Sequence, residues 1–197
     1  LDTFGKPAGY VLRQVDGWRR RWEDAITPDT VNCDATIKWL MDNMPAERGR
    51  ASVIHNDYKM DNVIFSLQDP LQVIGVLDWE MSTVGDPLMD LGCTLGYWTQ
   101  ISDPDFFRES RTMPSDIEGA PTRAEIIARF QQQTGLAVDN FPFYFCFGLF
   151  RLAVIGQQIY YRYYHGLTRD QRFAGFVKKT HVLQQMCELI ISEKISS

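Results

Sequence analysis

The sequence predicts an α+β fold, mainly helical, with a small set of β-hairpin strands set into one face. Apolar residues recur at helical spacing over most of the chain. That pattern breaks once, between residues 52 and 77, into three short runs rich in Val and Ile. The length of 197 residues suits one domain with a sizeable core, or one large lobe of a two-lobed protein.

The first helix is expected from Tyr10 to about Ile26, with Val11, Val15, Trp18, Trp22 and Ile26 as its apolar side and Arg19–Arg21 as its wet face. A second should run from Asp34 to Met44 and stop before Pro45. Glu47 to Arg50 reads as a loop. Strands are expected at Ser52–His55, Asn62–Ser66 and Gln72–Leu77, the last two joined by the turn composition Leu67-Gln-Asp-Pro70. Asp86 is a good N-cap and Pro87 a good first residue for a helix towards Trp98. Residues 100–121 hold three prolines and many charges, and read as a long, mobile surface loop. Thr122-Arg-Ala-Glu125 is a capping box for a helix to about Thr134. A long apolar helix should follow from Asn140 to Gly166, and a final one from Arg169 to Glu193.

Composition narrows the function. A formal net charge of −5 argues against nucleic acid as a partner. The most apolar stretch, Phe141–Ile155, is interrupted by Arg151 and ended by Gln157 and Gln158. It reads as a buried core helix and not a membrane span. The four cysteines, Cys33, Cys93, Cys146 and Cys187, are far apart, so neither a disulfide framework nor a sulfur metal site is expected. A reducing, cytoplasmic location is the default expectation.

The most informative stretch is His55-Asn-Asp-Tyr-Lys-Met-Asp-Asn62, followed by Val-Leu-Asp78-Trp-Glu80 after a hairpin. An acid sits in a loop, an amide follows five positions later at the mouth of a strand, and a second carboxylate comes one strand on. Phosphoryl transfer needs few more protein groups than these, because its catalysis is mostly positioning and charge neutralisation. Taken singly, Asp57 could be a turn residue, Lys59 a solvated lysine, and Asp86 a helix cap.

The combination HNDYKMDNVIF, VLDWE and GDPLMDLG resembles the aminoglycoside phosphotransferase and choline kinase-like branch of the protein kinase-like superfamily. It is most similar to the kinase-like domains joined to acyl-CoA dehydrogenases. The resemblance is strong over His55–Gly92 and rests on helix order elsewhere. It implies the C-terminal lobe of a protein kinase-like fold over 1–197, with a catalytic and metal-binding core at 52–92 and a helical substrate-side region at 122–197. It implies ATP- and Mg²⁺-dependent transfer of the γ-phosphoryl group to a hydroxyl of a small molecule, a hydroxyacyl compound among the candidates.

By the same resemblance Asp57 is the catalytic base, and Asn62 and Asp78 hold Mg²⁺. His55 holds the loop, and Asp90 accepts backbone N–H bonds from it, with Asp86 equally structural. Lys59 stands where a cation would approach the transferring phosphate. Glu80, two residues after Asp78 in an extended segment, would face the same side and reach a second metal or the substrate. Some of the aromatics Tyr144, Phe145, Phe147, Tyr160, Tyr161, Tyr163 and Tyr164 would wall the acceptor pocket, the rest being core. No Gly-rich phosphate cradle or strand Lys precedes Tyr10, and Leu1 stands where an initiator Met would. The expectation is therefore a fragment whose N-terminal ATP-binding lobe is absent and which is inactive alone. The alternative is a kinase-like binding or scaffold module without catalysis. A metal-dependent hydrolase ranks last, for want of a His pair or carboxylate cluster.

Overall fold

A computed structural model describes residues 4–47, 49 and 51–193. Its spine is the helix α6, Phe141–Tyr164. Asn140 and Pro142 open this helix, and Phe143, Tyr144, Phe145, Phe147, Leu149 and Phe150 are all buried on it. A helix this apolar on every side must be surrounded. Around it stand α1 (Tyr10–Glu23), α2 (Asp34–Asp42), α3 (Pro87–Gly96) and α7 (Phe176–Ile191). The α3–α6 contact is close because it lacks side chains. A Cβ on Gly92 would lie 2.2 Å from the Tyr144 carbonyl oxygen, and one on Gly148 would lie 2.1 Å from that of Gly92.

Helix α1 buries Val11, Val15, Trp18 and Trp22 and ends three residues before the expected Ile26. Ile26 is 54% exposed, and Ala25 takes the buried place after the helix turns off. The wet face is an ion-pair ladder, with Asp16 bound to Arg19 and Arg20, and Arg19 to Glu23. Helix α2 stops at Asp42. Of the loop expected at Glu47–Arg50, Arg48 and Arg50 lie outside the described residues. Helix α5 (Arg123–Thr134) has the complete capping box, Thr122 with Glu125, and ends on left-handed Gly135. The final helix begins later than its sequence suggests. Asp170 caps a 3-10 turn over Gln171–Gly175 before α7 starts.

The segment 100–121 is not loose. It contains a short helix, α4 (Asp105–Arg108), and buries Phe107, Met113 and Ser115. Asp103 and Arg123 pair at 2.5 Å with both side chains almost wholly buried. The same Arg123 donates to the Trp98 carbonyl, and Asp116 receives Arg108 and Arg111. A long loop rich in proline and charge is held here by internal ion pairs that connect residues many positions apart.

The strands are β1 (Ser52–Ile54), β2 (Val63–Phe65), β3 (Val73–Val76) and β4 (Thr83–Gly85). β4 escapes the sequence because three residues carry no usable alternation. β2 and β3 form the expected hairpin, Val63 facing Val76. β1 pairs antiparallel with β4, Ile54 facing Thr83 and Ser52 facing Gly85. Two consequences position the site. The loop 55–62 runs from β1 to β2, and the loop 77–82 runs from β3 to β4. Since β1 lies beside β4 and β2 beside β3, the two loops are strung side by side between the same two ladders.

Candidate active site

The two loops are stitched together directly. The Leu77 N–H donates to the Asn62 carbonyl at 2.8 Å, which extends the β2–β3 pairing by one step and sets Asp78 next to Asn62. His55 Nε2 lies 2.7 Å from the Leu77 carbonyl oxygen, and the Asp57 N–H donates to His55 Nδ1 at 3.2 Å. The second bond makes Nδ1 the acceptor, so Nε2 carries the proton and donates. His55 is buried, with its ring 4.7 Å from the Trp79 ring and tilted by 54° to it. It is a brace between the loops.

Asp90, on α3, closes the turn from below. Its two carboxylate oxygens accept from the His55 N–H at 2.8 Å and the Asn56 N–H at 2.7 Å. Asn56 has φ 64° and Asp78 φ 65°. Asn and Asp tolerate that left-handed region best among side-chain-bearing residues, at a cost of about 1 kcal/mol or more. Asn56 recovers some of this by donating through Nδ2 to the Met81 carbonyl and accepting from the Tyr10 hydroxyl. Asp86 caps α3 through the Leu88 N–H at 2.8 Å, and so holds Asp90 at the right height one turn on.

Asp57 sits at the centre. The Tyr97 hydroxyl donates to its Oδ1 at 2.7 Å. Lys59 Nζ lies 3.0 Å from its Oδ2 and 5.1 Å from the Tyr97 ring centre. The Lys59 side chain is only 23% exposed, so the freely solvated lysine the sequence allowed is not what the fold builds. Burial works to raise the Asp57 pKa. The bonds from Tyr97 and Lys59, then the charges of Lys59 and Arg151, outweigh it and hold the carboxyl below the usual carboxylate range. The Tyr97 phenol is pushed well up, first by burial and then by Asp57 itself.

Tyr97→Phe removes the first donor after burial is counted. The Asp57 carboxyl is therefore expected to titrate at higher pH in that variant, by NMR, with the fold retained. A titration unmoved or lowered would show that Tyr97 is a bystander.

Asn62 is buried, and its Nδ2 donates to the Asp57 carbonyl at 2.8 Å and to Asp57 Oδ2 at 3.3 Å. Those bonds turn its Oδ1 the other way, where it meets no donor among the described residues. The exposed Asp78 carboxylate likewise meets none there. This all-oxygen pair suits a hard cation such as Mg²⁺, which is held by one or two protein groups together with phosphate oxygens and water. Among the described residues no cluster of three His, Cys, Asp or Glu could hold an ion unaided. The donor set thus fits a metal that arrives with a phosphate ligand.

Glu80 departs from its expected placement. Residues Trp79–Met81 form a 3-10 turn, not a strand, and Glu80 is exposed there without a partner among the described residues. The positive φ of Asp78 breaks the alternation on which that placement depended. Asp61 is exposed, also on a 3-10 turn. Tyr144, Phe145 and Phe147 are core, and the Tyr160 hydroxyl is engaged by Asp29 at 2.6 Å. Tyr97 is the site residue that sequence reasoning missed, since it stands 40 positions from Asp57 with no motif around it. Arg151 is another near neighbour. A lone arginine in the middle of Phe141–Ile155 was the available signal.

No helix among the described residues is long and apolar enough to cross a membrane. The four cysteines are buried free thiols.

Comparison with known proteins agrees with this architecture. The chain is 35% identical over 191 residues to mouse acyl-CoA dehydrogenase family member 10, covering 96% of this chain and 17% of that protein. It is 34% identical over 169 residues to mouse acyl-CoA dehydrogenase family member 11, covering 84% of this chain and 21% of that protein. The chain thus spans about a fifth of the length of these curated relatives. A solved structure from Ralstonia eutropha JMP134, provisionally assigned as an aminoglycoside phosphotransferase, superposes with a TM-score of 0.81 at 29% identity. That superposition covers 96% of this chain and 57% of the other. The model of the phosphotransferase enzyme family, APH, matches residues 1–125. With loop, brace and helix in the arrangement described, the fold is kinase-like and the chain belongs to the APH phosphotransferase family.

Proposed function

We propose that this chain is the acceptor- and metal-side part of an ATP- and Mg²⁺-dependent phosphotransferase acting on a hydroxyl of a small molecule. The observation that carries it is the alignment of the two loops, which sets Asp57, Asn62 and Asp78 side by side on backbone bonds. Asp57 is held ionised and orients the attacking hydroxyl, accepting its proton as the O–P bond forms. Tyr97 and Asn62 fix the direction of its carboxylate. Lys59 places a cation beside it, able to follow negative charge onto the transferring group. Asn62 and Asp78 would hold Mg²⁺, which supplies neutralisation of phosphate charge. Cradling of the nucleotide falls to protein packed over β2–β3, where Ile64, Phe65, Val73 and Ile74 stand 40–61% exposed. Large apolar side chains left this exposed on one hairpin are consistent with an interaction surface.

The test uses the longest natural protein that contains this segment, incubated with γ-labelled ATP, Mg²⁺ and a panel of small alcohols. Label is expected on a hydroxyl, and chelation of Mg²⁺ should abolish transfer. Absence of transfer together with no thermal stabilisation by Mg·ATP would favour a binding module instead, because a ligand of the native state must raise its stability.

A further inference from the structure

Beside the two loops lies a hollow of about 440 Å³, walled by α1, the segment before it, and the middle of α6. Asn56 and Met81 form the edge it shares with the catalytic loops. Among the described residues its lining includes Lys6, Arg13, Arg21 and Arg151, and no Asp or Glu. In a chain of net charge −5, that is a local reversal of sign.

Arg151 is the decisive member. It is 2% exposed, with its guanidinium 5.1 Å from the centre of the Trp18 ring. Among the described residues Nη2 donates to the Met81 sulfur at 3.4 Å, a weak acceptor, the Cys93 thiol is a second weak sulfur partner, and Nη1 has no partner. A buried guanidinium left in this condition is costly, and such charges are normally paired. The other fully buried arginine obeys the rule, since Arg123 has the Asp103 carboxylate at 2.5 Å. Asp57 is near enough to be felt by Arg151, yet its oxygens are already taken by Tyr97, Lys59 and Asn62. Of the remaining cations, Arg13 is turned to the Ala8 and Lys6 carbonyls. Arg21 lies over Trp18 at 4.7 Å, and Lys6 is exposed at the rim.

We infer that this hollow binds the carboxylate or phosphate group of a small hydroxylated anion, with Arg151 as the anchor and Arg21 and Lys6 at the mouth. An oxyanion there would give Arg151 the charge-assisted partner it lacks. The volume suits a small molecule. That the bound anion is the phosphoryl acceptor rests on the phosphotransferase reading, because Asn56 adjoins Asp57. That the hollow takes an oxyanion does not. On both together, the acceptor is an anionic alcohol, and a polycation is repelled.

The experiment is calorimetric titration of the full chain without nucleotide or Mg²⁺, so that it reads the hollow alone. The probes are glycerol 3-phosphate, glycerate, neutral glycerol and the polycation kanamycin. At least one of the two anions is expected to bind, and which one does identifies the group recognised. Glycerol and kanamycin should not. Arg151→Met should abolish binding. In case that variant fails to fold, the double variant Lys6→Glu/Arg21→Glu changes only surface charge, and should weaken binding about tenfold or more, near 1.4 kcal/mol. Failure of both anions to bind, binding of glycerol as tight as theirs, or undiminished binding by the folded double variant would each overturn the inference. Loss of phosphoryl transfer with anion binding intact would count against the function proposed above and leave the hollow's role standing.

Discussion

Asp57→Ala is expected to lower kcat for phosphoryl transfer by roughly 10²–10⁴-fold, the range for a positioned general base. The fold should survive. Asp57 is a loop residue, and the loop is held independently of its side chain by Asp90 on the His55 and Asn56 amides and by His55 on Leu77. Binding of Mg·ATP should weaken little, since Asn62 and Asp78 remain. Asn62 would still be bonded to the Asp57 main-chain carbonyl at 2.8 Å. Asp57→Asn separates charge from shape. It keeps an oxygen for Tyr97 but cannot take a proton, so it should fall close to the alanine variant. Steady-state kinetics in the longest natural protein decide this. Full activity in either variant would remove Asp57 from the chemistry.

Asp103→Ala is expected to destabilise the chain by about 3–5 kcal/mol, the cost of leaving a buried charge without its partner. Arg123 has no exposed surface, stacks 4.6 Å from the Phe145 ring, and relies on both Asp103 oxygens. Asp103 also accepts from the Gln100 N–H at 2.8 Å, so the turn it caps would loosen with it. For a chain of this length the fall in Tm should be on the order of 10 °C. Replacing both partners with apolar residues should recover part of the loss, because neither charge is then stranded. Thermal unfolding of the two single variants and the double variant checks this. A single variant within about 1 kcal/mol of the parent would show that water reaches Arg123 and pairs it instead.

Much of the site was legible in the sequence because its groups are local. Asp57, Lys59 and Asn62 lie within six residues, and Asp78 follows one hairpin later. The helix boundaries at Asp86-Pro87 and Thr122–Glu125 were legible for the same reason, since a cap is a bond between residues two or three apart. Reading failed where the deciding partner was distant. β4 exists because β1 stands beside it. The 100–121 segment is ordered because Asp103 meets Arg123. Glu80 sits on a 3-10 turn and not in an extended segment because Asp78 adopts a positive φ in a loop braced from the other side.

The sequence by itself determined the chemical groups, their order, and a mainly helical chain with one small β insertion. Only the tertiary structure decided how Asp57 is surrounded, by bringing Tyr97 up from the end of α3 and Arg151 across from α6. It also decided how tightly α3 and α6 cross, which rests on Gly92 and Gly148 meeting backbone to backbone. The physical reason is the same throughout. Hydrogen-bonded caps and spacing motifs act over a few residues and are written in consecutive letters, whereas burial, ion pairing and close backbone approach depend on which distant surfaces the core brings together.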